Sequence, residues 1–207
     1  SNGSGKSSLL KLLDGLYFPT AGTIRAFGGE LTENALRDWT FNFHFRSRVG
    51  LVFQDSDVQL FMPTVNEEIT FGPLQLGLPP EEVIRRLENA LRDLHIEHLR
   101  DRAPHQLSGG EKKKVALASI LSIAPEVWLL DEPTAGLDPR TTTWLVEFLR
   151  ARASVGNTVV IATHDLRLIE TLAHRVYVLS EDHHVSAAGS PGEILSDHAL
   201  LADNNLL

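Results

Sequence analysis

The sequence predicts an α/β fold: a parallel sheet covered by helices, with a helical subdomain inserted into it. Segments with helical and with strand patterns alternate along the chain, and the candidate strands are short, continuous apolar runs. Such runs are typical of parallel strands, which helices cover on both faces. A long stretch, residues 66–124, has helical patterns and no strand between them. We therefore expect one domain, with a sheet core at 1–65 and 125–207 and a helical subdomain at 66–124.

The expected elements follow in order along the chain. A helix is expected at 6–13, where Gly15 ends it, and a strand at 23–27 is followed by a Gly28-Gly29 turn. The other expected strands are 49–53, 127–130, 158–162 and 176–179, and the other expected helices are 79–94, 166–174 and those beginning near Gly110, Pro139 and Pro191. Ser190 and Glu193 form a capping box around the last of these helix starts.

Composition excludes several classes of function. The chain has 207 residues, enough to bury a sizeable core, and 19 basic against 27 acidic residues give a net charge of −8. A negative balance disfavours a general role on nucleic acid, where phosphates favour a basic face. No apolar run approaches the ~20 residues of a membrane-spanning helix, so a link to the membrane would need a partner. The absence of cysteine excludes disulfides and thiolate chemistry and is typical of a cytoplasmic protein.

The chain opens inside a glycine-rich pattern that grips phosphates. Gly3 to Ser7 match the end of G-x-x-x-x-G-K-[ST], whose first glycine would fall before Ser1. Backbone N–H groups of such a loop and the dipole of the helix that follows attract phosphate oxygens, while the lysine reaches the β- and γ-phosphates and the hydroxyl binds Mg²⁺. The expected nucleotide-binding residues here are Asn2, Gly3, Ser4, Gly5, Lys6, Ser7 and Ser8. The alternative is a flexible Gly/Ser terminus.

Two carboxylates follow the apolar run 127–130. Asp131 and Glu132 would lie at the carboxyl edge of the sheet, beside the phosphate loop. Asp131 is expected to order Mg²⁺ through its water shell, and Glu132 to act as general base towards the attacking water. The alternative is an acidic loop after a core strand.

The string Leu107-Ser-Gly-Gly-Glu111 carries a family resemblance. Together with the phosphate loop, Gln54, LLDEP (129–133), AGLD (135–138) and THD (163–165), it resembles the nucleotide-binding subunits of ABC transporters. The resemblance implies a RecA-like P-loop NTPase core, ATP and Mg²⁺ as ligands, and two copies that sandwich two ATP molecules. Ser108, Gly109 and Gly110 of one copy would contact the γ-phosphate bound to the other, and their place at a helix N-terminus suits an anion. A capping turn without a ligand is the alternative.

The same resemblance implies roles for three further residues. Gln54 would contact Mg²⁺ or the attacking water, and His164 would hydrogen-bond the γ-phosphate and orient Glu132. Asp138 would span the dimer interface, and it is also a good N-cap before Pro139. The catalytic set is therefore Glu132, His164 and Gln54, and the metal set is Ser7, Gln54 and Asp131. An ordinary polar loop residue and a structural histidine are the alternatives.

A narrower resemblance comes from residues 52–61, 71–73 and 104–110, which are similar to the ATPases of energy-coupling-factor importers. The ending, 186–195, is most similar to cobalt and nickel uptake subunits. This resemblance implies an ATPase at the cytoplasmic face of the membrane. Its partners would be a second ATPase subunit, identical or different, a transmembrane coupling protein and a substrate-binding membrane protein. Residues 55–62 would line the groove for the coupling helix, with Leu60 and Phe61 as apolar contacts.

Other classes of function stay open at this point. They are an importer ATPase for a vitamin, a soluble ABC ATPase, and an inactive interaction subunit, although Lys6, Asp131, Glu132 and His164 are all retained. The family also places strands before the phosphate loop, so we expect a truncated core that lacks them. The aromatic segment 36–46 receives no role. Adjacent His183 and His184 are expected at a solvated hairpin tip rather than in a metal site.

Overall fold

A computed structural model describes residues 3–206. The strands are β1 (Arg25–Ala26), β2 (Gly29–Glu30), β3 (Val49–Val52), β4 (Val127–Asp131), β5 (Thr158–Ala162), β6 (Val176–Leu179) and β7 (Val185–Gly189). The helices are α1 (Lys6–Leu13), α2 (Glu33–Arg37), α3 (Trp39–Arg46), α4 (Val65–Gln75), α5 (Pro80–Asp93), α6 (Gly109–Ile123), α7 (Pro139–Ser154), α8 (Leu166–Leu172), α9 (Pro191–Ser196) and α10 (His198–Asp203). Short 3-10 turns lie at Ser56–Val58, Glu97–Leu99 and Pro104–Gln106.

The central sheet is parallel, with the order β3-β4-β5. Val52 pairs with Leu130, and Asp131 pairs with Ala162, so the three strands end close together at one edge. The predicted α/β class is confirmed. Parallel strands need long connections, and here these connections are the helices.

Alternating side chains of the sheet enter two separate cores. Trp128 and Leu130 of β4 pack into a core with α4, α5, α6 and α7, whereas Leu129 packs on the opposite face with Leu10 of α1 and Phe45 of α3. This alternation follows from the two-residue period of a strand. The sheet therefore has α1 on one face and α6 on the other. Each of these helices begins at a glycine-rich segment.

The stretch between residues 66 and 124 is helical in the described chain, with α4, α5 and α6 packed against one another. Ser108 and Glu111 form a capping box at the start of α6. The predicted helices near Gly110, Pro139 and Pro191 are all present, and Asp138 caps α7 as expected.

The strand expected at 176–179 forms, but outside the parallel sheet. As β6 it pairs antiparallel with β7 rather than with the parallel sheet. A short turn joins these two strands, and local antiparallel pairing closes such a loop at little entropic cost. His183 and His184 are exposed in that turn. The expected strand at 23–27 is shorter in the structure, where β1 pairs with β2.

The aromatic segment without an expected role forms α3. Asp38 caps it by accepting a hydrogen bond from the Phe41 N–H at 2.8 Å. Phe45 is 1% exposed within the core on that face of the sheet, whereas Trp39 is 75% exposed. Across residues 3–206, none of the helices combines the length and the apolar character that a membrane span requires.

Candidate functional site

The predicted site residues Asp131, Glu132 and His164 meet, together with Thr163, where the parallel strands end. Asp131 is the last residue of β4 and Glu132 follows it, while Thr163 and His164 follow β5. Gln54 comes two residues after β3. We call this region the carboxyl edge, defined by residues 53–54, 131–132 and 163–164. Ligands of open parallel sheets bind outside such an edge.

The phosphate loop leads into α1, which packs over β4 and β5. Gly3 and Gly5 have φ values of 81° and 92°, a left-handed conformation that glycine adopts without a steric cost. The Lys6 ammonium donates a hydrogen bond to the Ser4 hydroxyl at 3.4 Å. Lys6 also lines one small cavity with Thr163, which places the loop lysine beside the carboxyl edge. Ser7 and Ser8 lie in the first turn of α1, and Asn2 lies outside the described residues.

Glu132 is the most firmly held side chain of the edge. Its Oε2 accepts a hydrogen bond from the Thr163 hydroxyl at 2.9 Å, and its Oε1 accepts one from the His164 backbone N–H at 3.0 Å. The His164 ring contacts the same Oε1 through Nδ1 at 2.7 Å. Glu132 itself is 7% exposed and has a φ of 44°, a left-handed conformation unusual for a side-chain-bearing residue. The backbone of Glu132 is therefore strained, and this strained conformation orients its carboxylate.

The contact between His164 and Glu132 orients the ring. A hydrogen on Nδ1 lets the ring donate to Oε1, because a carboxylate oxygen accepts hydrogen bonds. The side chain of His164 is 64% exposed, so its Nε2 faces outward from Glu132. The carboxylate can accept about four hydrogen bonds, of which three are given by Thr163 and His164. One lone pair remains for a water molecule.

The segment 53–62, here called the Gln54 loop, is tied to α6 and α4 by polar side chains. Gln59 accepts a hydrogen bond from the Phe53 N–H at 3.1 Å and donates to the Ala116 carbonyl at 2.8 Å. The carboxylate of Glu68 accepts hydrogen bonds from the N–H groups of Phe61 and Met62 at 2.9 and 2.8 Å. Gln54 itself is exposed at the end of this restrained backbone.

Buried Lys113 joins two parts of the carboxyl edge. Its Nζ donates to the carbonyls of Phe53 at 2.8 Å, Gln54 at 3.3 Å and Asp131 at 3.4 Å. Burial lowers the pKa of Lys113, while the nearby carboxylates of Asp131 and Glu132 act in the opposite direction. Lys113, Gln59, Glu68 and Thr163 were not predicted as site residues.

The Ser108–Gly110 segment lies beside a different loop. A Cβ on Gly110 would approach the Gly136 carbonyl to 3.0 Å, so the start of α6 packs closely on the AGLD loop. Asp138 of that loop accepts hydrogen bonds from the N–H and the hydroxyl of Thr141 and pairs with Lys114 at 2.8 Å. These contacts hold the pKa of Asp138 well below its usual range. The segment contacts its own helix and this loop, while α1, which follows the phosphate loop, packs on β4 and β5.

An apolar surface borders the Gln54 loop. Phe61 is 65% exposed and meets Phe71 edge to face, with ring centroids 5.1 Å apart. Leu60, in contrast, packs against the core on the α4–α7 face and is only partly exposed. Of the two residues expected to contact a coupling helix, Phe61 is therefore the more accessible.

A glycine-rich loop before a helix, with a held carboxylate at the end of the neighbouring strand, defines the P-loop class of nucleoside triphosphate hydrolases. Residues 1–135 match the protein family described as ABC transporter.

Two curated relatives are similar over nearly the whole chain. The nickel import ATP-binding protein NikO of Rhodobacter capsulatus is 50% identical, over 100% of this chain and 82% of its own length. The energy-coupling factor transporter ATP-binding protein EcfA of Methanoculleus marisnigri is 44% identical, over 99% of this chain and 72% of its own length.

Solved structures are similar as well. CbiO1 from Clostridium perfringens, described as part of the ABC transporter complex cbiONQ, is 36% identical with a TM-score of 0.76, covering 100% of this chain and 80% of its own. A dimeric ATP-binding cassette in a post-hydrolysis state with ADP and Pi is 28% identical with a TM-score of 0.80, covering 92% of this chain and 82% of its own.

The chain belongs to the ABC transporter family. As a member of that family it is an ATPase whose activity is coupled to transport.

Proposed function

We propose that the chain hydrolyses ATP at the carboxyl edge, with Glu132 as general base. The observation that carries this proposal is the Glu132 carboxylate, which Thr163 and His164 hold with one lone pair left for water. The Glu132 oxygen that carries this lone pair takes a proton from the water as the water oxygen bonds to the γ-phosphorus. The bond from the γ-phosphorus to the oxygen bridging to the β-phosphate breaks, and ADP and phosphate result.

The other polar residues of the edge bind the nucleotide in this proposal. The backbone of residues 2–8 cradles the phosphates, Lys6 reaches the β- and γ-phosphates, and His164 turns its exposed Nε2 to the γ-phosphate. Gln54 orients the water.

The residues proposed as metal ligands fit Mg²⁺. Ser7, Gln54 and Asp131 offer hydroxyl, amide and carboxylate oxygens, which are the hard donors that Mg²⁺ prefers. Asp131 is 6% exposed at the end of β4, within the edge where the phosphates would lie. When bound, Mg²⁺ would neutralise charge that develops on the β- and γ-phosphates.

We further propose that two ATPase subunits, identical or different, act together. The start of α6 contacts the AGLD loop, and α1, which follows the phosphate loop, packs on β4 and β5, which suits a ligand shared between two subunits. Ser108, Gly109 and Gly110 of one subunit would meet the γ-phosphate held by the other, and Asp138 would lie at their interface. The dimeric structural relative with ADP and Pi supports this arrangement.

The transporter is proposed to be an energy-coupling-factor importer of nickel or cobalt ions. Its EcfA relative, at 44% identity, supports the energy-coupling-factor class, and its NikO relative, at 50% identity, favours a metal ion over a vitamin as cargo. Its partners would be a transmembrane coupling protein and a substrate-binding membrane protein, with the ATPase on the cytoplasmic face of the membrane. Phe61 would contact the coupling helix. Residues 66–124 would act as the helical subdomain that moves against the sheet core, 1–65 and 125–207.

The experiment is a thermal melt of the chain with and without Mg-ATP. A ligand that binds only the folded state raises the melting temperature, by about 5–10 °C for a domain of this size at a hundredfold excess over Kd. We expect Mg-ATP to raise the melting temperature of the parent protein but not that of Lys6→Ala. Lys11→Ala, on the same helix, is the matched control and should keep the shift.

The same samples then give steady-state ATP hydrolysis. An equal ATP shift in the parent and in Lys6→Ala would remove the phosphate loop from the proposal. A shift without hydrolysis in a cooperatively folded parent would leave a nucleotide-binding subunit and contradict the proposed reaction.

A further inference from the structure

The lysine run 112–114 sends three adjacent side chains of α6 to different places. Lys112 pairs with Asp57 at 2.5 Å and Lys114 pairs with Asp138 at 2.8 Å, and both carboxylates are well exposed, at 68% and 47%. Lys113 is 3% exposed and points inward to the carboxyl edge. Exposed pairs contribute little to stability, so the buried member of the run needs a different explanation.

The ammonium of Lys113 is matched to its surroundings. It has three N–H donors, and three carbonyls accept from it, those of Phe53, Gln54 and Asp131. Phe53 and Gln54 follow β3, whereas Asp131 ends β4. The cation therefore bridges the backbones of the two segments that carry Gln54 and the Asp131-Glu132 pair.

Burying the Lys113 ammonium at this position costs free energy. Burial disfavours the charged form of an amine, as the lowered pKa of Lys113 indicates, and an apolar side chain would avoid that cost. The carboxylates of Asp131, Glu132 and Asp55 offset it. A charged group retained at such a cost beside reacting groups suggests a role in function rather than in packing alone.

The helix that carries Lys113 also carries the Ser108–Gly110 segment, one turn earlier. A shift of this segment would move Lys113, and Lys113 would move the carbonyls of Phe53, Gln54 and Asp131. We propose that Lys113 is a positioning residue for ATP hydrolysis, which fixes Gln54 relative to Asp131 and Glu132 and ties that geometry to the start of α6. Because Lys113 acts at the hydrolysis site, this role rests on the function proposed above.

The experiment compares Lys113→Met with Lys112→Met on the same helix turn. Lys113→Met keeps the length of the side chain and removes its charge and its donors. We expect ATP affinity within about threefold of the parent and kcat at least about tenfold lower, because binding uses the phosphate loop whereas turnover needs the alignment of the edge. Lys112→Met should leave both quantities within about twofold.

A double-mutant cycle separates positioning from a merely structural role. If Lys113 acts through Gln54, then Lys113→Met in a Gln54→Ala background should lower kcat by less than about threefold, since the two effects share one cause. Lys113→Arg, which keeps the charge and the donors, should recover part of the lost turnover. Equal losses of kcat in both backgrounds, or an unchanged kcat in Lys113→Met, would overturn the proposal.

Folding of the variants is checked by thermal melts. If Lys113→Met does not fold, Lys113→Gln, which retains two N–H donors, takes its place in the cycle. Failure of the Met, Gln and Arg variants alike to fold would assign Lys113 a structural role only and overturn the proposal. The proposed function is tested separately by Glu132→Gln: a normal kcat in that variant would overturn the hydrolysis site whatever Lys113 does.

Discussion

The carboxyl edge and the region around α3 are held together by different forces. At the edge, polar groups bind polar groups: Thr163 and His164 hold Glu132, and Lys113 holds three carbonyls. Around α3, Phe45 stacks on Phe41 with centroids 6.4 Å apart and meets Phe27 edge to face at 6.1 Å. The edge is ordered by hydrogen bonds, whereas the packing around α3 removes apolar surface from water.

This difference separates residues that matter for activity from residues that matter for stability. Polar contacts at a solvent-facing edge contribute little net free energy, because water competes for the same groups. Buried aromatic rings contribute much more, because their large apolar surfaces have no such competitor. We expect changes around α3 to alter the free energy of unfolding and changes at the edge to alter kcat.

The largest expected effect is that of Phe45→Ala. Phe45 is 1% exposed, and a phenylalanine of this kind costs about 3–5 kcal/mol when truncated. Urea unfolding should show that loss, while kcat of the folded fraction stays within about threefold of the parent. Phe43→Ala is the matched control, since Phe43 is 38% exposed on the same helix. Equal losses of stability in the two variants would contradict the role of Phe45 in the core.

A second effect concerns pH and Asp14, at the end of α1. Burial raises the pKa of Asp14 from 3.8 to about 6, although Arg46 lies 3.0 Å away. At this residue the folded state then binds more protons than the unfolded state, so the contribution of Asp14 to stability falls as pH rises from about 4 to 6. At about 1.4 kcal/mol per pKa unit, Asp14 should lower the free energy of unfolding by about 2–3 kcal/mol over this range.

Asp14→Asn should remove this decrease and be the more stable protein at pH 7. The amide keeps the size of the side chain and an acceptor for Arg46. The measurement is urea unfolding of parent and variant between pH 4 and pH 7. An identical pH dependence in both would show that Asp14 does not titrate in this range.

The smallest expected effect is that of Thr163→Val at the carboxyl edge. The variant loses the hydrogen bond to Glu132, worth about 0.5–1.5 kcal/mol, so kcat should fall by about 3–10-fold. ATP affinity should stay within about twofold. Thr143→Val, at an exposed position on α7, is the control. A large loss of stability with an unchanged kcat would place Thr163 with the packing residues instead.

Much of the carboxyl edge could be predicted from the sequence. Short apolar runs mark β3, β4 and β5, and the residues just after them must meet at one edge because the strands are parallel. Capping residues such as Ser108, Asp138 and Ser190 mark helix starts within a residue or two.

The region around α3 could not be predicted in the same way. Its aromatic residues recur at every second position from Trp39 to Phe45, a pattern typical of a strand. The segment is helical because Asp38 caps it and because Phe41 and Phe45, four residues apart, share the face that packs against the core. The local cap and the tertiary packing of Phe41 and Phe45 outweigh the alternating aromatic pattern here.

The burial of Lys113 at the carboxyl edge could not be predicted from the sequence either. Three consecutive lysines look alike in the sequence, and only the rotation of α6 decides which of them is buried. Glu132 has a left-handed backbone, and its side chain is held by Thr163 and His164, which follow β5 and lie far away in the sequence.

The most direct test of the account is the steady-state and binding analysis of Glu132→Gln, with Glu147→Gln on the exposed side of α7 as control. Glutamine keeps the shape of the side chain but cannot take a proton from water. The account predicts that kcat falls by about 10²-fold or more, the scale expected for the loss of a general base, while ATP affinity and the melting temperature change little. Hydrolysis within a few-fold of the parent would contradict it, because the carboxylate that the edge holds in place would then have no part in the chemistry.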